Sequence, residues 1–144
     1  MNEALTEAVK LVKVSAAVAD GTTVVNGTSV DMGADGGWDG VVFFGSLGTA
    51  AADNLMHAEG SDDNSSFSDL EGSEVDTGAT DKNQYVDIQR PKHRYNRPVF
   101  LRGTSTTVES IWALLYRGSQ KPYTQDVAAT LFGKRLVAPP LGTK

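Results

Sequence analysis

Apolar positions in this chain fall in short runs rich in Val and Thr, broken at close intervals by Gly, Asn, Asp and Ser. That pattern suits strands and tight turns more than helices. "QYVDIQR" (84–90) alternates cleanly, with Val86 and Ile88 on one face and Tyr85 and Asp87 on the other. "DNLMHAE" (53–59) predicts another strand. "WDGVVFFGSLGT" (38–49) is apolar at both parities, as a strand between two layers would be. "TTVESIWALLYRG" (106–118) is long enough for a helix, but its Thr and Val start and its aromatic content predict a buried strand.

Other segments carry local instructions. Asn26-Gly27 sits between β-branched residues and predicts a tight hairpin, since both turn positions need positive φ. Pro98 lies inside "RYNRPVFLRG" and lacks a donor, so that strand is expected at an edge or with a bulge. Leu5, Ala8, Val9 and Val12 recur at helix spacing behind a possible cap at Asn2, while "KLVKV" (10–14) reads equally as a strand. Residues 59–83 are polar apart from Phe67, Leu70 and Val75 and read as loops around short edge strands. From residue 118 onward no period holds, which predicts an arm with a short helix near 124–132. Seven or eight short strands predict an all-β antiparallel β-sandwich with extended N- and C-terminal arms. The expected boundaries are 1–117 for the sandwich domain, N-terminal segment included, and 118–144 for the C-terminal arm. A chain of 144 residues suits a single domain.

Charge divides the chain. Residues 1–80 hold fourteen Asp and Glu against Lys10 and Lys13, whereas residues 81–144 hold eleven Lys and Arg against four acids. Either the halves neutralise each other in the fold, or oppositely charged surfaces face different partners. With no cysteine there are no disulfides, thiolate metal sites or thiol nucleophiles. Glu3 and Glu7, with no sustained apolar region after them, predict a chain without a secretory leader, and runs such as Val41–Phe44 are too short to cross a bilayer.

The search for chemistry gives little. His57 and His93 stand in different strand contexts, and no hydrolase, zinc-protease, phosphate-loop or dinucleotide motif occurs. Asp62, Asp63, Asn64 and Asp69 are hard donors suited to calcium, but their spacing departs from an EF-hand loop and a solvated acidic turn explains them. No catalytic residue, metal or cofactor is assigned. Phe43, Phe44, Trp112 and Tyr116 lie in the two most apolar predicted strands and are expected in the core.

"QRPKHRYNRPVFLRG" (89–103) concentrates Arg90, Lys92, His93, Arg94, Arg97 and Arg102. A nucleic-acid site would use these cations for phosphates and Tyr95 and Phe100 for stacking. Strand alternation instead divides the charges, since Arg97 shares a face with Val99 and Leu101 and not with Arg94. The expectation is therefore that the arginines pair with acids of residues 59–76 or with another subunit. The expected protein-interface residues are Arg90, Lys92, Arg94, Tyr95, Arg97, Lys134 and Arg135. Two alternatives stay open. One is a nucleic-acid-associated protein using the basic half, and the other is a carbohydrate-binding module with Trp38 stacked on a sugar.

The order of "KLVKV", "VNGTSVDM", "GWDGVVFFGSLGT", "SDDNSSFSDLEGSEV", "QYVDIQRPKHRYNRPVFLRGT" and "ESIWALLYRGSQKPYT" resembles successive segments of a small protein of tailed bacteriophages, encoded beside the major capsid protein. Several relatives in that family serve as head cement, or decoration, proteins. The similarity spans roughly residues 10–124. It implies a jelly-roll-like sandwich without a catalytic motif. It further implies a homodimer or homotrimer bound to the major capsid protein on the outer surface of the virion, after assembly in the host cytoplasm, with no direct contact to nucleic acid or membrane.

Overall fold

The computed structural model describes residues 4–49, 53–78, 83–103, 105–118 and 131–144. One turn of helix, α1 (Leu5–Ala8), leads directly into β1 (Val9–Ser15). The Ala4 N–H donates to the Glu7 carboxylate at 3.0 Å, and a strand follows as soon as the β-branched residues begin. Both readings of this segment therefore hold, over different residues. Then come β2 (Val25–Asn26), β3 (Val30–Asp31), a short 3-10 turn (Ala34–Gly36), β4 (Gly40–Ser46), β5 (Asn54–Ser61), β6 (Ser68–Asp69) and β7 (Val75–Gly78). The remaining strands are β8 (Asn83–Gln89), β9 (Tyr95–Leu101), β10 (Ile111–Tyr116) and β11 (Leu131–Val137).

The first sheet has the order β1-β10-β4-β8-β11. In the second, β9 lies between β5 and the pair β2 and β3, and β5 carries β6 and β7 on its other side. In pairing terms the chain is one long antiparallel hairpin, with β1 on β10, β2 and β3 on β9, β4 on β8, and β5 on β6 and β7. Two further pairings, β10 on β4 and β9 on β5, roll that hairpin into two sheets. This is the jelly-roll path, and the molecule is an all-β sandwich. Val41, Phe43, Val86, Ile88, Ile111 and Leu115 from the first sheet meet Met56, Ala58, Phe100 and Val30 from the second in the core.

Asn26-Gly27 does not form the expected hairpin. β2 and β3 both pair with β9, Val25 opposite Phe100 and Val30 opposite Asn96, so they are one strand position with an extra residue between them. Pro98 explains the break. Opposite it, the Gly27 N–H donates to the Pro98 carbonyl at 2.9 Å, and a Cβ on Gly27 would lie 2.7 Å from Pro98 Cγ. Thr28 then turns to the other sheet and donates to the Val14 carbonyl at 2.7 Å. The bulge expected from Pro98 is thus on its neighbour, and β9 is an internal strand.

The C-terminal segment is also more than an arm. Residues 131–137 form β11, parallel to β8, with Phe132 and Leu136 packed against the core. Of the short helix expected near 124–132, residues 124–130 lie outside the described residues, and 131–132 open the strand. Beyond β11 the Glu71 N–H donates to the Pro140 carbonyl and the Gly142 N–H to the Asp69 carbonyl, tying the chain end to the second sheet.

Alternation in β10 and β4 divides the four aromatics expected in the core. Phe43 is fully buried, whereas Phe44 and Trp112, directly opposite each other, face outward and are each 38% exposed. Tyr116 is also on the outer face, where its ring occupies the place a Cβ on Gly40 would take and its hydroxyl donates to Asp87 at 2.7 Å. Tyr85 covers Gly133 in the same way. Gly40→Ala is therefore expected to displace Tyr116 and destabilise the fold by about 1–3 kcal/mol. Urea unfolding checks this; an unchanged midpoint would contradict the packing.

Candidate functional site

The basic stretch enters β9 through a turn in which Arg90 has positive φ (53°) and donates its N–H to the Asp39 carbonyl at 2.7 Å. Its charges then go to separate partners. Arg94 holds Asp31 with two parallel bonds, Nε to Oδ1 at 2.9 Å and Nη2 to Oδ2 at 3.1 Å. This holds the Asp31 carboxyl below the usual carboxylate range. Arg97 binds Glu59 from the neighbouring strand, Nη2 to Oε2 at 2.6 Å, and its guanidinium lies 4.1 Å from the centre of the Phe67 ring. His93 Nδ1 is 3.1 Å from Asp62 Oδ1. Arg102 donates to the carbonyls of Ala19, Thr23 and Thr106 and so fastens two loops.

Pairing with acids of residues 59–76 thus accounts for Arg97 and His93, while Asp31, the partner of Arg94, lies outside that range. β3 brings Asp31 opposite Tyr95, a long-range register that the sequence alone does not reveal. Tyr95 is half-buried and Lys92 exposed. Lys134 and Arg135 are exposed on β11, an edge strand, where lysine and arginine also discourage pairing with another chain.

Beside Glu59 stands the most concentrated polar group. His57 Nε2 is 3.0 Å from Asp69 Oδ1 and 3.7 Å from Glu59 Oε1, with the imidazole only 3% exposed. Among the described residues these three side chains are the group whose ligand atoms could share a metal ion. Their charge is already balanced, because Arg97 sits on Glu59 and the Lys144 cation is felt at His57. The other ring nitrogen, Nδ1, has no partner, whereas a metal-bound histidine ordinarily donates from it. The cluster is therefore a buried neutral histidine between two carboxylates. Burial pushes the His57 pKa below its ordinary 6.5, outweighing the attraction of Asp69 and Glu59.

The acidic turn does not converge on a cation either. Asp63 Oδ1 accepts from the N–H groups of Ser65 and Ser66 and from the Ser61 hydroxyl, which holds its carboxyl down to about 2. Asn64 has positive φ (57°) within the same turn. Trp38, the sugar platform of the carbohydrate-binding alternative, packs against the core and lies beneath Arg117 at 4.2 Å.

A different surface was hidden by the sequence. On the outer face of the first sheet, Lys13, Trp112, Phe44, Tyr85 and Gly133 follow one another across all five strands. The next row is Leu11, Leu114, Val42, Asp87 and Arg135, and the third runs from Val9 through Tyr116 to Val137. Leu11 is 48% and Val137 52% exposed. An open groove of about 540 Å³ lies at the end of the aromatic row, bordered by Ser46, Asn83, Glu109 and Ser110. The signal was present in "WDGVVFFG" and "IWALLY", which are apolar at both parities.

Comparison with family models, curated proteins and solved structures returns no match for this chain.

Two outcomes follow from the acidic turn and the buried histidine. Asp63 contributes stability that is complete above about pH 4 and lost as pH falls towards about 2; His57, its folded pKa depressed, contributes stability that declines as pH falls below 6.5. Unfolding midpoints measured from about pH 8 to about pH 2 should fall in both windows, and a flat profile would contradict the assignment. Arg97→Ala leaves Glu59 without its cation and should raise the His57 pKa while costing about 2–4 kcal/mol. NMR titration of the imidazole checks the first effect, and an unmoved pKa would separate Arg97 from the cluster.

Proposed function

We propose that this chain is a structural protein of a phage virion, a cement protein that binds the outer surface of the capsid across neighbouring capsomers. The observation that carries the reading is the contrast between the sandwich's two outer faces. One carries charge pairs made within the chain, Arg94 with Asp31 and Arg97 with Glu59, and the other leaves an apolar and aromatic face open to a partner. The resemblance of residues 10–124 to phage head cement proteins supplies the biological setting. The jelly-roll path agrees with what that resemblance implies.

The arginines support a protein partner over a nucleic acid. Arg94, Arg97 and Arg102 already bind carboxylates and carbonyls of their own chain, and a phosphate backbone would have to displace those partners. In this reading the protein is not a catalyst and its partners are the major capsid protein and further copies of itself. Its work is mechanical. Packed DNA pushes the shell apart, and a protein that binds the closed shell but not separated subunits stabilises the shell by linkage. Many copies make modest contacts sufficient.

Quantitative mass spectrometry of purified particles that carry this chain, with the outside separately treated with protease, tests the proposal. The expected result is a copy number of the same order as the major capsid protein, with cleavage from outside. A handful of copies, or none, would contradict it, as would DNA binding by the isolated chain that weakens steeply with salt.

A further inference from the structure

The proposed function leaves open which surface meets the shell. Four of the large apolar side chains that remain exposed, Leu11, Phe44, Trp112 and Val137, lie on the outer face of the first sheet. Contiguous apolar exposure of this kind marks an interaction surface. Its charges are ordered as well. Lys13 stands on β1 at one side and Arg135 on β11 at the other. Of the carboxylates nearby, Asp87 accepts the Tyr116 hydroxyl and faces Arg135 across the strand pair, leaving Lys13 as the cation without a carboxylate in its row, and Glu109 is at the groove's end beyond the Trp112 row.

We propose that this face is the docking surface for the shell protein, and that the shell presents to it an apolar strip bordered by carboxylates. The inference rests on the cement reading. Charge complementarity selects the occupant. Carboxylates on the two sides of an apolar strip would meet Lys13 and Arg135 while Leu11, Trp112 and Phe44 lose water. With the two-fold axis along the strands and through the central β4, a second copy would bring the β1 edge, with Lys13, over the β11 edge, with Arg135, and oppose cation to cation. Five strands and seven residues give a face of roughly 20 by 20 Å. That is a small interface for one copy, and it suits a protein held by the number of its copies.

The test uses shells of the major capsid protein from particles that carry this chain, stripped of it, with the full chain added back. Leu11→Ser with Trp112→Ser should weaken binding at least about tenfold. Lys13→Glu with Arg135→Glu should also weaken it, and should remove most of its dependence on salt. Arg94→Ala, on the other sheet, should bind within about twofold of the wild type. Urea unfolding of each variant guards against loss of fold, and if the serine pair unfolds, the charge-reversed pair at exposed edge positions decides. Wild-type binding by both double variants would overturn the docking surface and leave the cement reading standing. Failure of the wild-type chain to bind shells would overturn that reading itself. A solution dimer by sedimentation that Leu11→Ser with Trp112→Ser converts to monomer would give the face to a second copy and also overturn the proposal.

Discussion

The two-residue period of a strand, applied to segments that are apolar at both parities, is the constraint from which this structure follows. β4 and β10 cannot bury both of their faces in a two-layer sandwich. Val41, Phe43, Ile111, Ala113 and Leu115 turn inward and make the core with Met56, Ala58 and Phe100 of the second sheet. Val42, Phe44, Trp112 and Leu114 are then committed to the outside. A slip of one residue would exchange the two sets. The glycines opposing Tyr116 and Tyr85 give each ring a seat on the outer face, where its body covers backbone.

The second sheet resolves the same constraint differently. Its outer face mixes Leu55, Val99 and Leu101 with His57, Glu59 and Arg97, and β9 lies between strands that supply carboxylates, Asp31 on one side and Glu59 on the other. Two arginines of the basic stretch are thereby neutralised by acids of the N-terminal half. Arg94 with Asp31 is exposed and adds little stability. Arg97 with Glu59 is shielded beneath Phe67 and is coupled through Glu59 to the buried His57.

Much of the fold was legible in the sequence because it is encoded locally. "QYVDIQR" gave β8 its faces, and the long apolar runs gave β4 and β10. The errors came where a distant element decides the outcome. Asn26-Gly27 carries a hairpin signal, but Pro98 on the opposing strand turned it into a bulge. Residues 131–137 show no pattern until β8 offers an edge to which they add in parallel. Trp112 and Phe44 were expected in the core because apolar runs suggest a layer on each side, and no periodicity reveals how many layers there are. The partner of Arg94 was hidden for a similar reason, since Asp31 reaches it only through the break between β2 and β3.

In the proposed docking the charge-paired sheet is turned away from the shell and the apolar sheet towards it. Cryo-electron microscopy of the intact particle, at a resolution that traces β-strands, tests this most directly. The expected result is density for the jelly roll on the outside of the capsid, with β1, β10, β4, β8 and β11 against the shell and the Arg94 and Arg97 face exposed. Density with the second sheet against the shell, or no jelly-roll density outside the capsid, would contradict it.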